Sequence, residues 1–200
     1  AGLKPEDGLL PMFRRTMPDN TETDDLNRDL LRDAAEQVQK QADGLPVYYT
    51  EWNGCAPFGA PGNDTRKVAA YDVRAALSAE DFIEGSSIWC FSDIFEEIHP
   101  FPEEFHGGYG LVTQHGIAKP LFHALRLLGQ AGDKRLELPG ALDGEVSVAA
   151  FRDAADTQLT VLATKQNLHH FAGQSTPATP VEIEVELDAK PQSVQLCRID

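Results

Sequence analysis

Leu45-Pro46-Val47-Tyr48-Tyr49-Thr50-Glu51-Trp52 and Ser86-Ser87-Ile88-Trp89-Cys90-Phe91-Ser92-Asp93 are two short apolar runs rich in aromatic and β-branched residues. Such composition over so few residues predicts strands buried on both faces. Between them, Gly54 to Gly62 is a Gly/Pro loop, and Asn63 or Asp64 is placed to cap a helix carrying Val68, Ala69, Val73, Ala76 and Leu77. Upstream, residues 1–23 read as a loop. From Asp24, the residues Leu26, Leu30, Leu31, Ala34, Ala35 and Val38 recur at helical spacing, with Thr23 or Asp24 as N-cap and Gly44 as the stop. Downstream, residues 94–116 form a long loop with Gly107, Gly108 and Gly110 close together, and Pro120 opens a third helix through Leu121, Phe122, Leu125 and Leu128. Helices alternating with buried strands predict parallel β/α units.

The pattern changes after about residue 132. Glu145 to Phe151, Gln158 to Ala163, Val181 to Leu187 and Ser193 to Cys197 read as short strands, and Val181-Glu182-Ile183-Glu184-Val185-Glu186-Leu187 alternates strictly. The expected fold is therefore α/β plus all-β. Residues 1–131 would form part of a β/α domain, and residues 132–200 an antiparallel, β-sandwich-like domain. Two parallel strands cannot cover both their faces and edges, and a β/α barrel takes about 250 residues. The remaining strands are expected from the rest of a longer polypeptide or from another chain.

Charge narrows the function. The 200 residues carry 17 Lys and Arg against 32 Asp and Glu, a net −15, which repels phosphate backbones and anionic membrane surfaces. Neither nucleic acid nor membrane is an expected partner. A homo-oligomer is compatible with the sequence. Cys55, Cys90 and Cys197 form no metal or redox motif, and no disulfide framework is legible, which points towards a reducing, cytoplasmic compartment.

Chemistry is expected where ionisable groups end the strands. Glu51 leaves the first strand among Tyr48, Tyr49 and Trp52, where a carboxylate is costly unless it works. Its bland counterpart is a Glu paired with an Arg. Trp89 and the Glu96-Glu97 pair follow the second strand. An indole stacks on the apolar face of a sugar, and carboxylates accept its hydroxyls. Singly, each also fits a core tryptophan or a solvated charge pair. Glu96, Glu97, His99 and His106 match no standard metal spacing, so neither metal nor cofactor is expected. His169-His170 reads as surface, and Asn63-Asp64-Thr65 as a helix cap rather than a glycosylation site.

Taken in order, Thr-Glu-Trp-Asn (50–53), Trp-x-Phe-Ser-Asp-x-Phe-Glu-Glu (89–97), Phe-His-Gly-Gly-Tyr-Gly-Leu (105–111) and Gly-Ile-x-Lys-Pro (116–120) resemble the bacterial β-xylosidases of glycoside hydrolase family 39. The similarity runs from about residue 24 to residue 130, and the β module fits that family's accessory domain. The resemblance implies a (β/α)8 TIM barrel whose seventh and eighth strands are Val47–Glu51 and Ser87–Phe91. It implies a retaining, exo-acting β-xylosidase with Glu51 as nucleophile, and Trp89, Glu96 and Glu97 lining the subsite for the non-reducing xylose. Trp52, Asn53, Phe95 and His106 lie in the same motifs and go with them to substrate binding. The substrate would be a xylo-oligosaccharide or another neutral glycoside.

The family's acid/base Glu lies in an Asn-Glu-Pro motif, and none occurs in these residues. The His and Tyr that follow strand six are missing too. The chain is expected to be a portion cut at both ends, showing little turnover alone. Other readings are a non-catalytic sugar-binding or assembly fragment, a metallohydrolase, and an α-L-arabinosidase or α-L-iduronidase of the same family. A uronate would call for a cation, and no Arg or Lys lies between Asn53 and Gly62 or between Trp89 and Gly116, which favours a neutral sugar.

Overall fold

The computed structural model describes residues 29–54, 59, 61–94, 103–166, 180–187 and 190–199. In chain order these form α1 (Leu30–Gln41), β1 (Tyr48–Trp52), α2 (Arg66–Ala79), β2 (Gly85–Ile88), α3 (Pro120–Leu128), β3 (Lys134–Arg135), β4 (Val146–Arg152) and β5 (Leu159–Lys165). β1 and β2 pair in parallel across the intervening α2, the β/α unit expected from the two apolar runs. β3, β4 and β5 form one antiparallel sheet.

α2 lies at the centre. Ten of its fourteen residues are buried, so it has no solvated face and behaves as a core helix. Ala69, Val73 and Leu77 line up at i, i+4 spacing and meet Leu121 and Ala124 of α3 and Ala149 and Phe151 of β4 in one hydrophobic cluster. The cluster crosses residue 131 without a break, and three buried or half-buried polar side chains reinforce it. Arg74 donates through Nε and Nη2 to the Leu142 carbonyl at 3.0 and 2.7 Å, and pairs with Asp29. Arg135 donates to the Leu77 carbonyl at 2.9 Å, and Gln166 to that of Ala70 at 3.1 Å. Each satisfies a helix carbonyl or loop carbonyl that burial would otherwise strand.

Several expectations are corrected. The cap of α2 is Thr65, whose hydroxyl accepts from the Lys67 amide at 3.3 Å, because Pro61–Asp64 forms a 3₁₀ turn that turns Asn63 and Asp64 elsewhere. The two parallel strands are largely exposed rather than buried, since among the described residues each has the other as its only neighbour. Val181–Leu187 and Ser193–Cys197 are not strands: no partner among the described residues completes a ladder with them, and Val194 and Leu196 stand exposed. Lys134–Arg135, unmarked by any pattern, is one. Pro120 does open α3, with Lys119 as its N-cap. Past the C-cap Ala42 of α1, Asp43 takes the left-handed stop position at φ +50°, and Gly44 follows at φ +80°. The proposed caps Thr23 and Asp24, Cys55, and His169-His170 lie outside the described residues.

Candidate active site

Glu51 stands one residue before the end of β1, at an irregularity in the pairing. Tyr49 faces Ser86 and Trp52 faces Ile88, so three steps on β1 oppose two on β2 and Thr50-Glu51 takes up an extra residue. A bulge of this kind re-aims side chains at a strand end. Glu51 is exposed.

The strand ends are tied together directly behind it. The Trp89 amide donates to the Trp52 carbonyl at 2.8 Å, and the Asn53 side-chain amide donates to the Trp89 carbonyl at 2.7 Å. Thus Glu51, Trp52, Asn53 and Trp89, chosen from two separate motifs, share the C-terminal edge of one parallel pair. Trp89 keeps 38% of its surface exposed. The Trp52 indole N–H is buried with no acceptor among the described residues. Phe95, Glu96 and Glu97 lie outside the described residues.

Beyond Trp89 the chain pairs with the glycine-rich return. The Cys90 amide donates to the Tyr109 carbonyl, the Leu111 amide to Cys90, the Val112 amide to Phe91 and the Asp93 amide to Val112, at 3.0 to 3.2 Å. Burial pushes the Cys90 thiol up, away from nucleophilic use. Gly108 and Gly110 are required by proximity. A Cβ on Gly108 would sit 2.4 Å from Asp93 Oδ1, and one on Gly110 2.3 Å from the Asp93 amide nitrogen.

Sequence reasoning missed the group that organises this return. Lys119 is completely buried; its ammonium forms ion pairs with Asp64 Oδ1 and Asp93 Oδ2, each at 2.6 Å, and donates to the Gly108 carbonyl at 3.1 Å. The second oxygen of each carboxylate holds a glycine amide, Asp64 that of Gly107 at 2.5 Å and Asp93 that of Gly110 at 2.7 Å. Asn63 donates to the Gly107 carbonyl at 2.8 Å. His106, with a side chain only 5% exposed, joins this cluster, its Nε2 3.8 Å from Asp93 Oδ2. The motif Gly-Ile-x-Lys-Pro carries the lysine, but nothing in the string reveals that it is buried. Among the described residues no three His, Cys, Asp or Glu side chains gather as a metal site, and no helix is long and apolar enough to cross a membrane.

A second buried acid supports the loop after β1. Asp72 on α2 is fully buried, neither oxygen has a hydrogen-bond partner among the described residues, and Gly54 packs so closely that a Cβ there would overlap it. Burial raises its carboxyl to about 8. A carboxyl raised in the folded state keeps its proton while the unfolded chain releases it from pH ~4 upward. Wild-type stability should therefore fall as pH rises from about 4 to 8. Asp72→Asn cannot ionise and should gain on the wild type across that window, by a few kcal/mol at pH 8. Urea unfolding at pH 5 and pH 8 measures this, and a difference independent of pH would contradict the assignment.

A β/α chain with a carboxylate ending one parallel strand and an indole just beyond the next has the layout of the β/α enzymes that work at strand C-termini. The family model for Glycosyl hydrolases family 39 matches residues 17–199, and the chain belongs to that family. A β-xylosidase of Caldicellulosiruptor saccharolyticus is 33% identical over 156 residues, covering 75% of this chain and 30% of the relative. One from Geobacillus stearothermophilus is 39% identical over 111 residues, covering 56% and 21%. The crystal structure of a monomeric β-xylosidase from Caulobacter crescentus CB15 is 27% identical with a TM-score of 0.63, covering 78% of this chain and 32% of that one. The chain thus spans under a third of each of these proteins. Family membership implies a TIM-barrel-containing fold, of which the described residues form two small sheets.

Proposed function

We propose that this chain supplies the nucleophile-bearing, C-terminal part of a retaining β-xylosidase barrel, with β1 and β2 as its seventh and eighth strands and the β3–β5 sheet as part of the accessory domain. The carrying observation is the joining of Glu51, Trp52 and Asn53 to Trp89 at one strand edge. The exposed faces of β1 and β2 are the surfaces on which the remainder of the barrel would pack.

In this reading the Glu51 side chain attacks the anomeric carbon. A second carboxyl group about 5–5.5 Å away, on the remainder of the barrel, protonates the leaving oxygen and then activates water. Trp89 offers its indole to the apolar face of the xylose ring. Asn53 fixes the strand ends relative to each other. Glu96 and Glu97, with Phe95, are assigned to the sugar hydroxyls and ring. His106 serves from behind, as its burial fits support of the loop better than contact with substrate. The absence of Arg and Lys from both strand-end segments supports a neutral glycoside.

Proton NMR of the first product released from p-nitrophenyl β-xyloside by the polypeptide that carries this chain tests the reading. β-Xylose should appear first and then mutarotate. Initial release of α-xylose would refute a retaining mechanism, and release of no xylose would refute the substrate.

A further inference from the structure

We infer that Lys119 is a positioning residue for the sugar platform, acting through Asp64 and Asp93 on the segment that holds Trp89. The inference rests on the glycosidase reading for its purpose, but the clamp itself stands on geometry. One buried ammonium ties together three stretches far apart in sequence. Asp64 belongs to the turn entering α2, Asp93 follows β2, and Gly107–Gly110 form the return.

The ammonium donates to the Gly108 carbonyl and forms ion pairs with both carboxylates. Each carboxylate bridges the ammonium to a glycine amide, so the charge pairs and the backbone lock one another. The Lys119 amide also donates to the Leu111 carbonyl at 2.9 Å, fixing the lysine to the same return by main chain. From Tyr109 to Val112 that return pairs with Cys90 to Asp93, the residues immediately after Trp89.

A buried ion triad is an unfavourable choice for stability alone, because apolar side chains of equal volume commonly do as well or better. What it offers is one arrangement instead of several. Gly108 and Gly110 leave no space between backbone and Asp93, so the acid cannot shift without moving the return and, with it, the indole. The ammonium is committed to three partners and fully buried, so it is not available to bind an anionic substrate.

The test has two arms. In the polypeptide that carries this chain, Lys119→Met should raise the concentration of a 2-fluoro-xyloside needed for half-maximal inactivation by about tenfold, leaving the limiting rate within about twofold. Asp64→Asn keeps an acceptor for Gly107 but replaces the oxygen facing Lys119 with an NH2 donor, so it breaks that ion pair alone; it should show the same split at about threefold and serves if Lys119→Met fails to fold. In the same polypeptide, amide exchange at residues 90–93 and 107–112 should quicken about tenfold in either variant, with residues 68–77 unchanged.

Unchanged half-maximal concentrations in a folded variant would overturn the positioning role, as would a loss confined to the limiting rate. Unchanged exchange would overturn the clamp. A wild-type protein that is not inactivated at all sinks the glycosidase reading instead, and the exchange arm then decides the clamp alone.

Discussion

Glu51→Gln is expected to reduce turnover of p-nitrophenyl β-xyloside by roughly a thousandfold or more, because an amide cannot attack the anomeric carbon. The loss should fall on kcat and kcat/KM together. Glu51 is exposed on β1 and outside the hydrophobic cluster, so the thermal midpoint should hold within about 2 °C. That combination separates a missing nucleophile from a damaged fold. Activity within about tenfold of wild type would move the nucleophile elsewhere.

The second large effect is on stability. Gly110→Ala should cost about 3 kcal/mol, because its Cβ would lie 2.3 Å from the Asp93 nitrogen and 2.5 Å from the Ser92 carbonyl carbon. Neither atom belongs to a side chain that can swing away. For a chain of this size that loss lowers the thermal midpoint by roughly 6–12 °C. Gly116→Ala provides the contrast. Its φ is +84° but nothing lies within 4 Å of the added carbon, so only backbone strain of about 1 kcal/mol is expected. Differential scanning calorimetry of both variants distinguishes crowding from conformational strain. Equal shifts would show that close approach to Asp93 is not what selects glycine at position 110.

How much of this was legible in the string depended on the range of the forces involved. The β1–α2–β2–α3 order followed from local patterns: aromatic and β-branched runs, an i, i+4 row of apolar side chains, and Pro120 at a helix start. Glu51 and Trp89 were legible because each ends an apolar run. That they share one edge came from parallel pairing across residues 48–88, a non-local event. Lys119 was not legible as a buried residue. A charged side chain reads as solvated unless its partners are known, and Asp64 and Asp93 are distant in sequence. Asn63 and Asp64 look like helix caps by local chemistry, but tertiary contacts with Gly107 and Lys119 claim them, and Thr65 caps instead. The alternation of Val181–Leu187 fits a half-buried strand, but a ladder needs a second strand. Sequence periodicity cannot say where that partner lies.

The most direct test of the central claim is covalent trapping. The polypeptide that carries this chain is incubated with 2,4-dinitrophenyl 2-deoxy-2-fluoro-β-xyloside, digested, and mapped by mass spectrometry. The fluorine slows breakdown of the glycosyl-enzyme more than its formation when the activated leaving group departs, so the intermediate accumulates. The 2-fluoroxylosyl group should be found on Glu51, as an ester, and should be absent from Glu51→Gln. A label on any other carboxylate, or one that persists in the Gln variant, would contradict the assignment of Glu51 as nucleophile.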